Sequence, residues 1–163
     1  MTLTDILTAI DGSPVGAFVR EDGNVFAWIE SLHVLGIVTV VGTISIVDLR
    51  LMGYRAHRRS ARLLILDLLP FTWAAFALAV ITGALMFTSN AVVYASNGLF
   101  IAKLALLALA GINMAYFHVT AYRRIGEWDD AHPPPVVVQV SGAMSLGLWI
   151  AIVFVGRWIG FSI

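Results

Sequence analysis

Residues 31–47 read SLHVLGIVTVVGTISIV, a run free of Asp, Glu, Lys and Arg that is closed by Glu30 on one side and Asp48 on the other. A helix rises ~1.5 Å per residue, so ~20 residues cross the hydrocarbon of a bilayer. Extended to about 25–47, the stretch reads as a membrane-spanning helix with a charge near each boundary. Three more follow: 68–88, entered through Pro70, which an early helical turn tolerates; 99–117; and 136–158, introduced by Pro133 to Pro135. Composition agrees. Of 163 residues, 60% are hydrophobic and 12% charged, more apolar surface than one soluble core of this length can hide.

The expected fold is therefore all-α: an integral membrane four-helix bundle, one domain over 1–163, with no internal repeat. Residues 1–20 add an amphipathic lead-in. Leu3, Ile6, Leu7 and Ile10 fall on one helical face opposite Thr4, Asp5 and Thr8, and Gly12-Ser13-Pro14 breaks the run. A short interfacial helix resting on the lipid follows from that pattern.

Several function classes drop out. Formal net charge is zero, which argues against nucleic acid. There is no cysteine, so disulfides, thiolate metal sites, Fe–S clusters and covalent c-type haem are excluded. Met1 to Ile10 carries no Lys or Arg and is interrupted by Asp5, with Asp11 next, unlike a signal peptide; no lipidation motif is present. No hydrolase triad, phosphate loop or zinc-protease helix is recognisable.

Orientation follows from the short loops. Arg50, Arg55, Arg58, Arg59 and Arg62 surround the first loop and Arg123 and Arg124 begin the third, whereas residues 89–98 hold no Lys or Arg and the N-terminal segment only Arg20. The positive-inside rule makes the first and third loops cytoplasmic and both termini periplasmic, in a bacterial inner (plasma) membrane.

Ionisable side chains at depth are costly and are candidate sites by default. On this topology His33 lies one turn below the outer boundary, Lys103 about one turn below Leu99, and Arg157 at the outer boundary, so three helices offer polar groups at similar height. Glu30 is one turn from His33 on the same face. A second layer gathers Asp48, Arg50, Asp67 and His118 near the cytoplasmic boundary, with Asn113 a little deeper. His33 and His118 are roughly 20 Å apart in depth, so they cannot clamp one haem together. The outer layer suits a b-type haem differently: His33 as axial ligand, Lys103 and Arg157 as cationic partners of the propionates, and Lys103 or Met86 as alternatives for the second ligand. Gly36 and Gly42 would let a flat macrocycle or another helix approach.

Each residue also has a plain structural reading. His33 and Glu30 could be a hydrogen-bonded pair, Lys103 a side chain snorkelling to headgroups, and Arg157, beside Trp158, an interfacial anchor. His118, Tyr116 and Tyr122 suit a membrane boundary, Asp48 a boundary ion pair with Arg50, Arg62 or His118, and His57 and His132 solvated loops. Gly156 to Gly160 matches GxxxG at a helix end, so an oligomer is compatible with the sequence.

Two stretches carry a resemblance. Ser31-Leu32-His33-Val34-Leu35-Gly36, followed by Asp48-Leu49-Arg50-Leu51, and Phe100-Ile101-Ala102-Lys103-Leu104, running on to Tyr116-Phe117-His118, are similar to the HemJ-type membrane protoporphyrinogen oxidases and to the membrane domain of the CopD copper-resistance family. As a whole the chain resembles a group of uncharacterised bacterial four-helix membrane proteins. The HemJ-type resemblance implies haem or porphyrin held by His33 and Lys103, between the first and third spans. Where those families carry a Trp after the first histidine, this chain reads Ile37-Val38-Thr39-Val40-Val41, which weighs against porphyrinogen oxidation itself.

The expectation is a small haem b protein, with His33 on the iron, passing electrons to or from quinone or a redox partner protein, or anchoring that partner in the lipid. His118 is the candidate for a second site. Copper transport is an alternative, weakened by the absence of cysteine and by methionines at scattered depths. A cofactor-free structural or accessory subunit is the other.

Overall fold

A computed structural model describes residues 2–54, 60–129 and 133–162. Arg55, His57, Arg58, Arg59 and His132 lie outside them. Among the described residues eight α-helices follow one another: α1 (Leu3–Asp11), α2 (Pro14–Glu21), α3 (Gly23–Leu51), α4 (Ala61–Ser89), α5 (Ala91–Ser96), α6 (Gly98–Val119), α7 (Ile125–Trp128) and α8 (Val136–Ser162), with a 3₁₀ turn at Tyr122–Arg124. Helices α3, α4, α6 and α8 are long and apolar enough to cross a membrane.

The amphipathic lead-in is two helices. Thr2 and Asp5 form a reciprocal capping box at the start of α1, and those hydrogen bonds, backbone first, hold the Asp5 carboxyl below its ordinary value. Ser13 caps α2, with Pro14 at its first position. Both helices dock on the bundle rather than lying apart from it. The Arg20 guanidinium donates to the Ser89 carbonyl at 2.8 Å, closing the C-terminus of α4, and the Ala91 N–H donates to the Asp11 carboxylate at the start of α5. Gly16 sits against the Thr88 carbonyl, where any side chain would collide.

Helix α4 begins at Ala61, about two turns before the expected span, so Pro70 is interior to it. Proline has no N–H, and the Leu66 carbonyl loses its intrahelical donor there.

Helix α3 packs on α4 and on α8, and α8 packs on α6. The loosest seam joins α4 to α6. Near the termini it is bridged by Phe87 stacked on Phe100 at 5.4 Å, with Tyr94 of α5 against both. The Asn97 amide donates to the Ser162 hydroxyl at 2.9 Å. That bond and the Arg20 and Asp11 contacts put the N-terminal helices, the α4–α6 connection and the end of α8 at one face, called here the terminal face. Arg50 and Asp129 mark the opposite one.

Small residues make the helix contacts. A Cβ on Gly36 would lie 3.0 Å from the Ala75 carbonyl of α4, and one on Gly142 2.9 Å from the Asp48 carbonyl of α3. Ala75, Ala79, Ala110, Thr82 and Ser141 are buried, while Leu35, Val38, Phe71, Ile81, Ile112 and Phe154 are at least 60% exposed. The bundle thus turns small side chains inward and large apolar ones outward. Water would penalise that arrangement; hydrocarbon favours it, because close backbone approach is what holds helices together in lipid.

At the opposite face one carboxylate ties three elements. Asp129 accepts from the Ala61 and Arg62 backbone N–H groups at 2.6 and 3.3 Å, capping α4 beside Ser60. It also faces Arg50 of α3 at 3.7 Å, and its carbonyl accepts from the same guanidinium at 2.9 Å. Trp128 beside it is buried, with its indole N–H donating to the Ala121 carbonyl at 2.8 Å.

Candidate functional site

Polar side chains inside the bundle form two layers. In the layer toward the terminal face, His33 Nδ1 lies 2.9 Å from the Ala79 carbonyl and 3.0 Å from the Thr82 hydroxyl, both on α4. A carbonyl only accepts, so Nδ1 carries the proton. Thr82 spends its own proton on the Leu78 carbonyl at 2.7 Å, which leaves its oxygen free to accept. The neutral imidazole therefore presents its lone pair at Nε2, and among the described residues nothing hydrogen-bonds that nitrogen. The ring lies flat enough on Gly83 that a Cβ there would be 3.0 Å from Cε1. The hydrogen-bonded pair considered for Glu30 and His33 does not form. Glu30 is exposed, and it acts on the ring only through space.

Lys103 enters the same layer from α6. Its side chain runs along Gly156 of α8, with Nζ 3.7 Å from where a Cβ would stand. Among the described residues its ammonium has no hydrogen bond or ion pair, and its charge reaches His33. Helix α8 covers the stem, and the residue as a whole is half-buried. Gly156 is occupied by this contact, so the GxxxG pair is not an open helix-docking face. Arg157 turns elsewhere: its guanidinium stacks on Phe161 of its own helix, 4.9 Å from the ring centre, and is exposed. It is an interfacial residue here rather than part of the His33 cluster. Tyr94 of α5 stands at the rim. Burial raises its phenol above the ordinary value, and the nearby Glu30 carboxylate adds to the effect.

The T-shaped pair Phe76 and Trp149, with centres 6.5 Å apart, crosses from α4 to α8. Beyond it, toward the opposite face, lies a cavity of ≈ 270 Å³. The cavity brings Asp48, Asn113 and His118 together with Ser141 and Ser145, as the second polar layer required, but not all of that layer. Arg50 is buried against Asp129 and Asp67 is exposed; neither lines the cavity. Asn113 and Ser141 are used up on one another, amide to carbonyl at 3.0 Å and hydroxyl to amide oxygen at 3.2 Å. His118 Nδ1 donates to the Met114 carbonyl of its own helix at 2.9 Å, so its Nε2 also carries a lone pair. Asp48 accepts from Ser145.

Sequence reasoning missed Asp129, which lies in a loop beside a proline run and shows no signal of its own. It also missed Thr82 and Gly83, which only a knowledge of the α3–α4 register could have brought to His33.

In the terminal-face layer, a histidine whose proton is fixed on one nitrogen by a backbone carbonyl and whose other nitrogen is free has the arrangement that ligating histidines adopt. Among the described residues no three His, Asp or Glu side chains converge, so a bare ion such as copper has no such cage. The cavity is another matter. At ≈ 270 Å³ it has room for one substituted ring.

The chain belongs to the DUF6644 family, a family of unknown function, whose model matches residues 8–162. No curated protein and no solved structure matches it.

Proposed function

We propose that this member of a family of unknown function is a b-type haem protein of the bacterial inner membrane, oriented with both termini periplasmic, that passes electrons to or from a lipid-soluble or protein partner. One observation carries the reading. His33 is held at Nδ1 by the Ala79 carbonyl and the Thr82 hydroxyl and keeps Nε2 free, with the unpaired Lys103 ammonium in the same layer. A half-buried cation with no partner among the described residues is costly inside a membrane, and an anionic ligand group would relieve it. The resemblance of the Leu32-His33 and Lys103-Leu104 motifs to HemJ-type proteins supports the same two residues. The distribution of Arg50, Arg62, Arg123 and Arg124, all toward one face, supports the orientation.

The test is a reduced-minus-oxidised spectrum of the detergent-purified chain from haem-replete cells, with the haem quantified as its pyridine complex. About one equivalent of haem b, lost in His33→Ala and retained with altered affinity in Lys103→Ala, is the expected result. A band that survives His33→Ala would move the ligand off that residue. Colourless protein would overturn the proposal and leave the cofactor-free accessory subunit.

A further inference from the structure

The cavity beyond Phe76 and Trp149 has features that packing alone does not explain. Asp48 is only 4% exposed, yet among the described residues its Oδ2 has no hydrogen-bond partner. Ser145 stands beside the carboxyl, which is part of the cavity wall. Buried polar atoms are nearly always satisfied, and leaving one unpaired is costly, more so for a charge. The atom that would satisfy Oδ2 has to come from something in the cavity.

The rest of the wall says what that something is. Trp73, Phe76, Phe117 and Trp149 present aromatic surface; besides Asp48, Ser145 and His118, the polar residues of the wall are taken up, Asn113 and Ser141 by each other and the Thr72 hydroxyl by α3 and its own helix. The occupant is therefore a flat, mostly apolar ring that offers a hydrogen-bonding oxygen at one point. The size agrees, since ≈ 270 Å³ is at the small end of the roughly 300–1,000 Å³ of organic-ligand pockets. The route in is visible as well. Trp73 of α4 is 49% exposed, Met114 of α6 is 38% exposed, and Gly111 between them on the α6 side is exposed with nothing within 4 Å of its Cβ position. All three line the cavity, so it opens sideways through the loose α4–α6 seam, onto the surface that hydrocarbon covers.

We infer that this cavity is a binding site for the head ring of a lipid-soluble quinone or quinol, entered from the lipid between α4 and α6 and recognised through Asp48. A carboxyl group suits both forms of such a ring. Ionised, it accepts from a quinol hydroxyl; protonated, it donates to a quinone carbonyl. His118, on the same wall with its Nε2 lone pair, is a second acceptor for the hydroxyl. The tail would remain in the seam. This site extends the electron-transfer reading but does not rest on haem at His33, and the two stand or fall by separate measurements.

The test is photolabelling in proteoliposomes with an azido-benzoquinone carrying a decyl tail, followed by mapping of the labelled peptides. Expected is label concentrated between Leu107 and His118 of α6 and between Ile65 and Phe76 of α4, displaced by unlabelled decyl-benzoquinol. Gly111→Phe, whose Cβ meets nothing within 4 Å, puts a ring at the mouth and should abolish the focused label. Asp48→Leu should weaken displacement at least tenfold. Label spread evenly over lipid-facing surfaces, or focused label indifferent to Gly111→Phe, would overturn the site. Should Asp48→Leu fail to fold, the Gly111 variant decides alone.

Discussion

His33 and Gly83 behave as a steric unit. The ring is pinned at Nδ1 by two oxygens of α4 and lies on the one residue of that turn with no side chain. Gly83→Ala would set a methyl 3.0 Å from Cε1, and the ring cannot swing away without giving up its hydrogen bonds. The expected cost is about 1–3 kcal/mol of stability. In a His33→Ala background the same methyl has space, so the double variant should show a coupling of about 0.5–3 kcal/mol. Unfolding of the four proteins in one detergent measures it; additive losses would mean that the contact does not form. This pair also shows what a sequence yields at residue scale. That His33 lies one turn inside the membrane is legible from Glu30 and the hydropathy around it. Its partners are not, because the main one is a backbone carbonyl, which has no letter in the sequence, exposed across an interface by Ala79 and Gly83. The nearest carboxylate along the helix, Glu30, looked the better partner only because spacing on one helix can be counted and register between helices cannot.

At the scale of elements, hydropathy located all four long helices but placed their ends short. Helix α3 continues past Asp48 to Leu51 and α4 starts at Ala61, since charged residues do not end a helix; they end only its contact with hydrocarbon. The extra turns are held by Asp129, which caps α4 and faces Arg50. Asp129→Ala removes two backbone acceptor contacts and the carboxylate beside a cation that is 5% exposed. Removing one member of a buried pair costs of order 3 kcal/mol, whereas Ser60→Ala, at the same helix terminus, should cost only about 1 kcal/mol. Thermal unfolding of the two variants side by side distinguishes a structural hub from an ordinary cap. Equal losses would reduce Asp129 to the latter. Nothing local marks this residue in the sequence: it acts on α4 from 68 positions away, and only the fold closes that distance.

For the whole molecule, the inward small residues and outward large ones make lipid the solvent, and the arginines then choose which way round the bundle sits. Arg50, Arg62, Arg123 and Arg124 belong to the face of Asp129, while the terminal face has Arg20, spent on the Ser89 carbonyl, and Arg157, stacked on Phe161. A cationic face resists translocation, so the terminal face should look into the periplasm, with the His33 layer beneath it and the cavity in the cytoplasmic half. The absence of native cysteine makes this directly measurable. Ser96→Cys changes one exposed atom in α5, and Gly126→Cys introduces a thiol at an exposed position with nothing within 4 Å. A membrane-impermeant maleimide that passes the outer membrane should label the first in intact cells and the second only after the inner membrane is opened. The opposite pattern would invert the bundle. His33 and Lys103 would then lie nearest the cytoplasm, and any electron path through the protein would have to be drawn in the other direction.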